Sequence, residues 1–328
     1  LIGIFFFIFG FISWINGTLI PYLKIACELQ EWQAYLVTFA FYISYTVMAM
    51  PASRLLQRTG MILGMSAGLY IMAAGCALFI PAAFTRNYGL FLCGLFLTGG
   101  GLTLLQTAVN PYVTLLGPAN SAARRISIMG ICNKVAGILA PLIMGSIILK
   151  NSGSLTSELA QMTAAQKKLR LDELAHDVIL PYCVLTAILV LVAILLRFAR
   201  LPDIKPAAPA GGDRAPATGG ARFLPGFTAI FFAVGAEVLA GDTIGNYGLY
   251  HGIDLDVAKN FTSYALFCMM VGYVAGIWAI PRYISQQKAF HISAWLGLAR
   301  TAAVVLLPAT ASICSVALLG LANAMLWP

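Results

Sequence analysis

FFAVGAEVLAGDTIGNY, from Phe231 to Tyr247, places two carboxylates, Glu237 and Asp242, inside a run otherwise apolar enough to cross a membrane. A carboxylate at the centre of a spanning helix costs about 2.5–3.5 kcal/mol on insertion scales, so acids at that depth face a cavity, a partner or a proton path. The stretch predicts a chain built around such a cavity.

Composition agrees. Hydrophobic residues make up 60% of the 328 and charged residues 10%, with a mean hydropathy of +0.87. A soluble domain carries about 25% charged residues and places them on its surface. The chain therefore reads as a polytopic membrane protein. Its formal charge of +8 is scattered through short loops rather than gathered on one helix face, which excludes a nucleic-acid partner and fits loop charge that sets topology. The seven cysteines, Cys27, Cys76, Cys93, Cys132, Cys183, Cys268 and Cys314, are odd in number and widely spaced, with no CxxC pair. They read as small core residues, with no disulfide frame and no metal site. No cleavable signal peptide is expected, because the chain opens directly in an apolar run that reads as a spanning helix.

Runs long enough for a hydrocarbon core of about 30 Å fall near residues 1–23, 33–53, 61–83, 88–113, 126–149, 178–199, 223–250, 257–281 and 289–308, and a tenth begins near Ser312. Spans this apolar must satisfy their backbone internally, so an all-α fold is expected. Arg54, Arg58, Arg124, Arg125, Arg197, Arg200, Lys205, Arg214, Arg222, Arg282 and Lys288 fall on one side of these spans. Lys24, Arg86, Lys150, Lys167, Lys168, Arg170 and Lys259 fall on the other, where Glu158, Asp172, Glu173 and Asp177 offset them. The richer side is the expected cytoplasmic side, with the amino terminus inside; the segment from Lys150 to Asp177 lies outside and carries a short surface helix.

Between the sixth and seventh spans, LPDIKPAAPAGGDRAPATGGAR (Leu201 to Arg222) is too rich in Pro and Gly for a packed element. It reads as a flexible linker. The expected division is an N-terminal six-helix bundle over 1–199, a cytoplasmic linker over 200–222 and a partial C-terminal bundle over 223–328. The two halves look like copies. Asn16-Gly17-Thr18-Leu19-Ile20-Pro21-Tyr22 matches Gly241-Asp242-Thr243-Ile244-Gly245-Asn246-Tyr247 at Thr, an aliphatic residue and Tyr. The second and eighth spans both end in proline followed by basic residues, Pro51 with Arg54 and Arg58, Pro281 with Arg282 and Lys288. Gln106-Thr-Ala-Val-Asn110-Pro111 in the fourth span answers Asn323-Ala-Met-Leu-Trp327-Pro328 in the tenth. Parallel six-helix repeats with a substrate site between them are the architecture of the major facilitator superfamily.

The run LLQTAVNPYVTLLGP (Leu104 to Pro118), then SAARRISIMGICNKVAGILAP, together with WINGTLIPYLK and VGAEVLAGDTIGNYGL, resembles the fucose, galactose and glucose proton symporter family, and most closely its bacterial glucose/galactose transporter branch. The resemblance spans essentially the whole chain and implies twelve helices, of which this sequence would hold nine and the start of a tenth. It implies import of a neutral hexose by cation symport, with a proton or sodium as the coupling ion, in the bacterial inner membrane. An uncoupled hexose facilitator, or a symporter of another sugar such as fucose or N-acetylglucosamine, is the alternative. Fucose-transporting members carry one essential acid on the first helix and one on the fourth. Gly17 and Gln106 stand at those positions here, so neither proton site carries over; Asp242 occupies the repeat-equivalent of Gly17.

Lys134, beside Asn133 in the fifth span, lies near the depth of Glu237 and Asp242 at about 1.5 Å of rise per residue. An ammonium there must find an anion, lose its proton or meet water. The N-terminal half offers no carboxylate at membrane depth, which leaves Asp242 or Glu237 across the cavity, unless helices beyond this sequence provide another. These two acids stand about 140° apart around their helix, whereas Asp242 and Asn246 share a face, which favours Asp242 as the group facing the cavity. A structural ion pair is the bland alternative. Asn16, Thr18, Gln106, Asn110, Asn133, Asn246 and Asn323 are the neutral groups expected to bind sugar hydroxyls, although such groups also join helices for about 0.6 kcal/mol each. Trp14 and Trp278 could stack on a sugar or anchor at the interface. Gly60, Gly64 and Gly68, and Gly272 with Gly276, suit close helix approach; Gly99-Gly100-Gly101 and Pro111 suit bends. No phosphate-binding loop, nucleophile–base pair or cofactor motif is present, and the histidines His176, His251 and His291 lie in loops or at a helix end. A monomeric transporter rather than an enzyme is expected.

Overall fold

The computed structural model describes residues 2–116, 122–149, 158–159, 161–199, 219–279 and 283–324. These are helical throughout, with no strand among them. In chain order the helices are α1 (Ile2–Trp14), α2 (Asn16–Ala26), α3 (Glu31–Ala34), α4 (Leu36–Thr59), α5 (Met61–Ala77), α6 (Phe79–Thr85), α7 (Tyr88–Leu115), α8 (Ala122–Ile148), α9 (Ala164–His176), α10 (Ile179–Phe198), α11 (Gly219–Tyr250), α12 (Leu255–Ala258), α13 (Phe261–Ala279), α14 (Gln286–Leu306) and α15 (Ala309–Ala324). Nine stretches among the described residues are long and apolar enough to cross a membrane, at positions close to those read from the sequence, and α15 is a shorter apolar helix. The expected surface helix is α9, which opens on a capping box between Thr163 and Gln166. Residues 200–218 of the expected linker lie outside the described residues; helix α11 begins at Gly219, ahead of residue 223, because Ala-Arg-Phe-Leu can extend a helix back from the span.

Two spans are broken in ways that matter for packing. α1 and α2 form one span interrupted at Ile15. Pro21, one turn further on, has no N–H to give the Gly17 carbonyl. α5 and α6 are separated at Leu78.

The N-terminal half holds the main core, which runs from Phe5 and Phe9 through Leu19, Phe41, Leu69 and Phe91 to Tyr182. Glycine lets its helices touch. A Cβ at Gly68 would lie 2.8 Å from the Gly101 carbonyl, one at Gly75 2.7 Å from the Gly94 carbonyl, and one at Gly99 2.4 Å from the Phe41 carbonyl. The glycines expected to bend the fourth span therefore seat it against α4 and α5. On α13, a Cβ at Gly272 would meet Ala324 and the Leu321 carbonyl, so Gly272 lets α13 close onto α15. All seven cysteines are free; Cys76 is buried, but Cys93, Cys183 and Cys314 are exposed on the outer faces of spans, where the surroundings of a membrane helix are as apolar as a core.

Away from the basic loops, helices α2 and α6 end in left-handed residues, Glu28 (φ 53°) and Arg86 (φ 47°). Each closes its helix with a hydrogen bond back over the last turn, Leu29 N–H to the Lys24 carbonyl and Asn87 N–H to the Ala82 carbonyl. Glycine is usual there, and the side chains present explain the exception. Arg86 donates to the Ala26 carbonyl at 2.9 Å, pairs with Asp172 at 3.2 Å and reaches Glu28 at 3.6 Å. Lys167 of α9 hydrogen-bonds Glu28 and holds its carboxyl below the usual glutamate range. Arg86→Ala unties α2, α6 and α9 together. It is expected to lower stability by about 2 kcal/mol, visible as an earlier thermal unfolding transition in detergent, while Arg170→Ala, whose partner Glu173 lies on its own exposed helix face, changes it by less than about 0.5 kcal/mol.

Candidate functional site at the seam between the halves

Among the described residues, the polar contacts that join the two halves lie in the part of the bundle remote from the basic loops. Thr262 of α13 packs where a Cβ at Gly17 would stand, and its hydroxyl donates to the Gly241 carbonyl at 2.8 Å. Ser263 donates to the Ile138 carbonyl at 2.8 Å, and Lys259 Nζ donates to the Leu149 carbonyl at the end of α8 at 3.0 Å, where a cation complements the helix dipole. Toward the basic end the described part of α11 is loosely covered. A Cβ at Gly130, Gly226 or Gly235 would meet nothing within 4 Å, and Leu224, Phe227, Phe231 and Phe232 are exposed.

At the boundary between the closed and open parts, Lys134 of α8 and Glu237 of α11 form an ion pair at 2.6 Å, with side-chain exposures of 7% and 10%. Of the two acids left open by the sequence, Glu237 is the one that meets the lysine. Trp14, at the end of α1, lies beside the pair, with Lys134 Nζ 5.0 Å from its ring centroid; Tyr273 of α13 stands 5.9 Å away on another side. The indole is seated between glycines of both halves: a Cβ at Gly137 would lie 2.6 Å from it and one at Gly241 2.2 Å. Leu266, Met269 and Ala324 complete its apolar surroundings. Trp14 is thus 4% exposed and inside the seam, whereas Trp278 is exposed beside Tyr283.

Asp242 points elsewhere, as an offset of about 140° from Glu237 requires. It is 1% exposed, and neither carboxyl oxygen has a hydrogen-bond partner. Its polar neighbour is Thr38 of α4, whose hydroxyl is likewise unpartnered, and Tyr42 lies near both acids. One turn on, Asn246 donates to the Tyr35 hydroxyl at 3.2 Å and to Glu31 at 3.4 Å, while Glu31 also takes Lys24. Tyr35, Thr38, Tyr42 and Tyr45 recur at helical spacing along α4, and the sequence reading passed over them. The motif YLVTFAFYISY carries that period as a signal.

The other expected site residues are spread more widely. Asn16 is fully buried with both amide atoms unpartnered, and lines a small cavity with Phe41, Cys76, Phe79, Thr98 and Tyr182, all of the N-terminal half. Thr18 is buried facing α8 near Gly145. Asn133 donates to the Phe6 carbonyl at 3.4 Å and so joins α8 to α1. Gln106 and Asn110 stand one turn apart on α7, half-buried and exposed respectively, with no hydrogen bond among the described residues. Asn323 is buried near the end of α15. Among the described residues no cluster of His, Cys, Asp and Glu could hold a metal.

Comparison with known proteins places this geometry. Residues 2–328 match the Major Facilitator Superfamily. A glucose/galactose transporter of Brucella abortus is 31% identical over 328 residues, covering 98% of this chain and 76% of that protein. The L-fucose-proton symporter of Escherichia coli is 32% identical over 292 residues, covering 86% of this chain and 67% of that one. The crystal structure of the major facilitator transporter FucP in the outward conformation superposes with a TM-score of 0.76 at 29% identity, over 100% of this chain and 81% of FucP. By the family match and these relatives, the chain belongs to the major facilitator superfamily, in the family of the fucose, galactose and glucose proton symporters.

Proposed function

We propose that the protein imports a neutral hexose of the glucose/galactose type by cation symport, its two halves alternating about the seam at Lys134 and Glu237. The observation that carries this reading is the buried ion pair between the halves. It sits where the closed part of the bundle meets the open part, so the opposite access state must separate it. A pair that holds in one state and opens in another is the two-state element that alternating access requires. The names of the relatives support a sugar as cargo.

Arginine-rich loops are expected to face the cytoplasm, so the conformation described is open inward, with the amino terminus inside and the linker over 200–222 joining the bundles 1–199 and 223–328 on that side. Gln106 and Asn110, free to take new partners, Asn133 beside Lys134, and the indole of Trp14 once released supply amide and aromatic contacts for a sugar ring. Asn246 sits deeper, on the face of α11 toward α4, where opening of the seam would uncover it, whereas Asn16 lies within the N-terminal core and supports the site from behind. The protein works as a monomer in the bacterial inner membrane, with no cofactor.

Counterflow in proteoliposomes tests the cargo. Vesicles loaded with unlabelled glucose or galactose are expected to draw in labelled hexose saturably, with fucose and N-acetylglucosamine competing more weakly. Failure of every hexose to exchange would overturn the reading.

A further inference from the structure

The interface of α11 with α4 brings no positive charge to Asp242, whose facing group is the neutral hydroxyl of Thr38. Both oxygens of Asp242, the hydroxyl of Thr38 and the side-chain oxygen of Asn246 are buried there without partners. The titratable groups around Asp242 are Tyr42 of α4, Glu237 on its own helix and, beyond them, Tyr273 of α13 and the Tyr35–Glu31 pair next to Asn246. None of these brings a cation to the carboxylate: Lys134 is bound to Glu237 on another face of α11, and Lys24 is bound to Glu31. An ionised carboxylate sealed in such a place, with no counter-charge and only one neutral hydroxyl facing it, is among the costliest arrangements a fold can hold. Something must neutralise Asp242 whenever the seam is closed.

We propose that Asp242, faced by Thr38 and backed by Asn246, is the coupling-cation site of the transporter and that the cation is a proton. This rests on the symport reading above. A proton needs one oxygen, cancels the carboxylate's charge and leaves an O–H that can donate to the Thr38 hydroxyl. With the seam open, water reaches the carboxylate and it takes a proton from the side remote from the basic loops, forming its O–H; that O–H breaks when α11 parts from α4 toward the basic end and water there accepts the proton, which leaves on the cytoplasmic side. With the proton bound, α11 can close onto α4; without it, closure would bury an unpaired charge.

Difference infrared spectroscopy on the intact protein, followed by transport, tests this. At neutral pH the protein is expected to show a protonated-carboxyl band that is lost in Asp242→Asn and retained in Glu237→Gln. In proteoliposomes, Asp242→Asn should slow hexose counterflow by a few-fold yet reduce accumulation under an imposed pH gradient at least ten-fold. Thr38→Val, which keeps the shape and removes the facing oxygen, should shift the pH profile of uptake, and it serves if Asp242→Asn does not fold. A protonated-carboxyl band unchanged in Asp242→Asn, undiminished accumulation in that variant, or uptake driven by a sodium gradient and not by a pH gradient would each overturn the assignment. Presence of the band in a protein that exchanges no hexose would uphold the proton site and remove the sugar.

Discussion

Lys134→Ala is expected to destabilise the protein by about 3–5 kcal/mol, because it leaves Glu237 buried beside Trp14 and Tyr273 with no counter-charge. Glu237→Gln should cost a similar amount by stranding the ammonium. The combined variant Lys134→Ala with Glu237→Gln leaves no unpaired charge in the seam and should recover much of the loss, so the two changes are strongly non-additive. Lys134→Ala with Asp242→Asn should show no such recovery, because Asp242 faces α4 and not the lysine. Thermal unfolding in detergent measures all four variants. Additive losses in the first pair, or recovery in the second, would assign the lysine to the wrong acid.

Gly241→Leu should hold the seam open. A Cβ at Gly241 already falls 2.2 Å from the indole of Trp14, and a Cβ at Gly137 falls 2.6 Å from it, so any side chain at 241 must push α1 away from α11. Interiors packed to this density do not absorb a leucine without moving the helices. Nitroxide labels on cysteines at Trp32 and Val257, both exposed and on different halves, would report a longer distance in Gly241→Leu, with hexose exchange reduced at least ten-fold. Adding Trp14→Ala removes the obstacle and should bring the labels back together. No change in distance would mean that the indole does not set the closure of the seam.

The sequence carried the helices well because hydropathy over about 20 residues is a one-dimensional property: the spans, the surface helix α9 and the depth of Lys134, Glu237 and Asp242 all followed from position along the chain. Facing was harder. Spans that are apolar all round give no stripe to say which side meets a partner, and the angle between Glu237 and Asp242 showed only that they diverge, not which one would meet Lys134. The aromatic row on α4 was overlooked because tyrosines among phenylalanines blend into an apolar run. The seat of Trp14 was not legible at all, since it depends on two glycines more than a hundred residues apart in sequence. Asn16 illustrates the same limit: its place beside the interrupted turn at Ile15 turns it into the N-terminal core, a consequence of a helix break that hydropathy does not register.

Hexose accumulation in proteoliposomes, with pH and sodium gradients imposed separately, tests the central claim most directly. One charge moving through about 100 mV releases roughly 2.3 kcal/mol, enough to concentrate a neutral sugar about fifty-fold. A pH gradient is expected to drive glucose or galactose well above the external concentration, and a sodium gradient alone to bring it only to equality. Equilibration under both gradients, with no accumulation under either, would contradict symport and leave an uncoupled carrier.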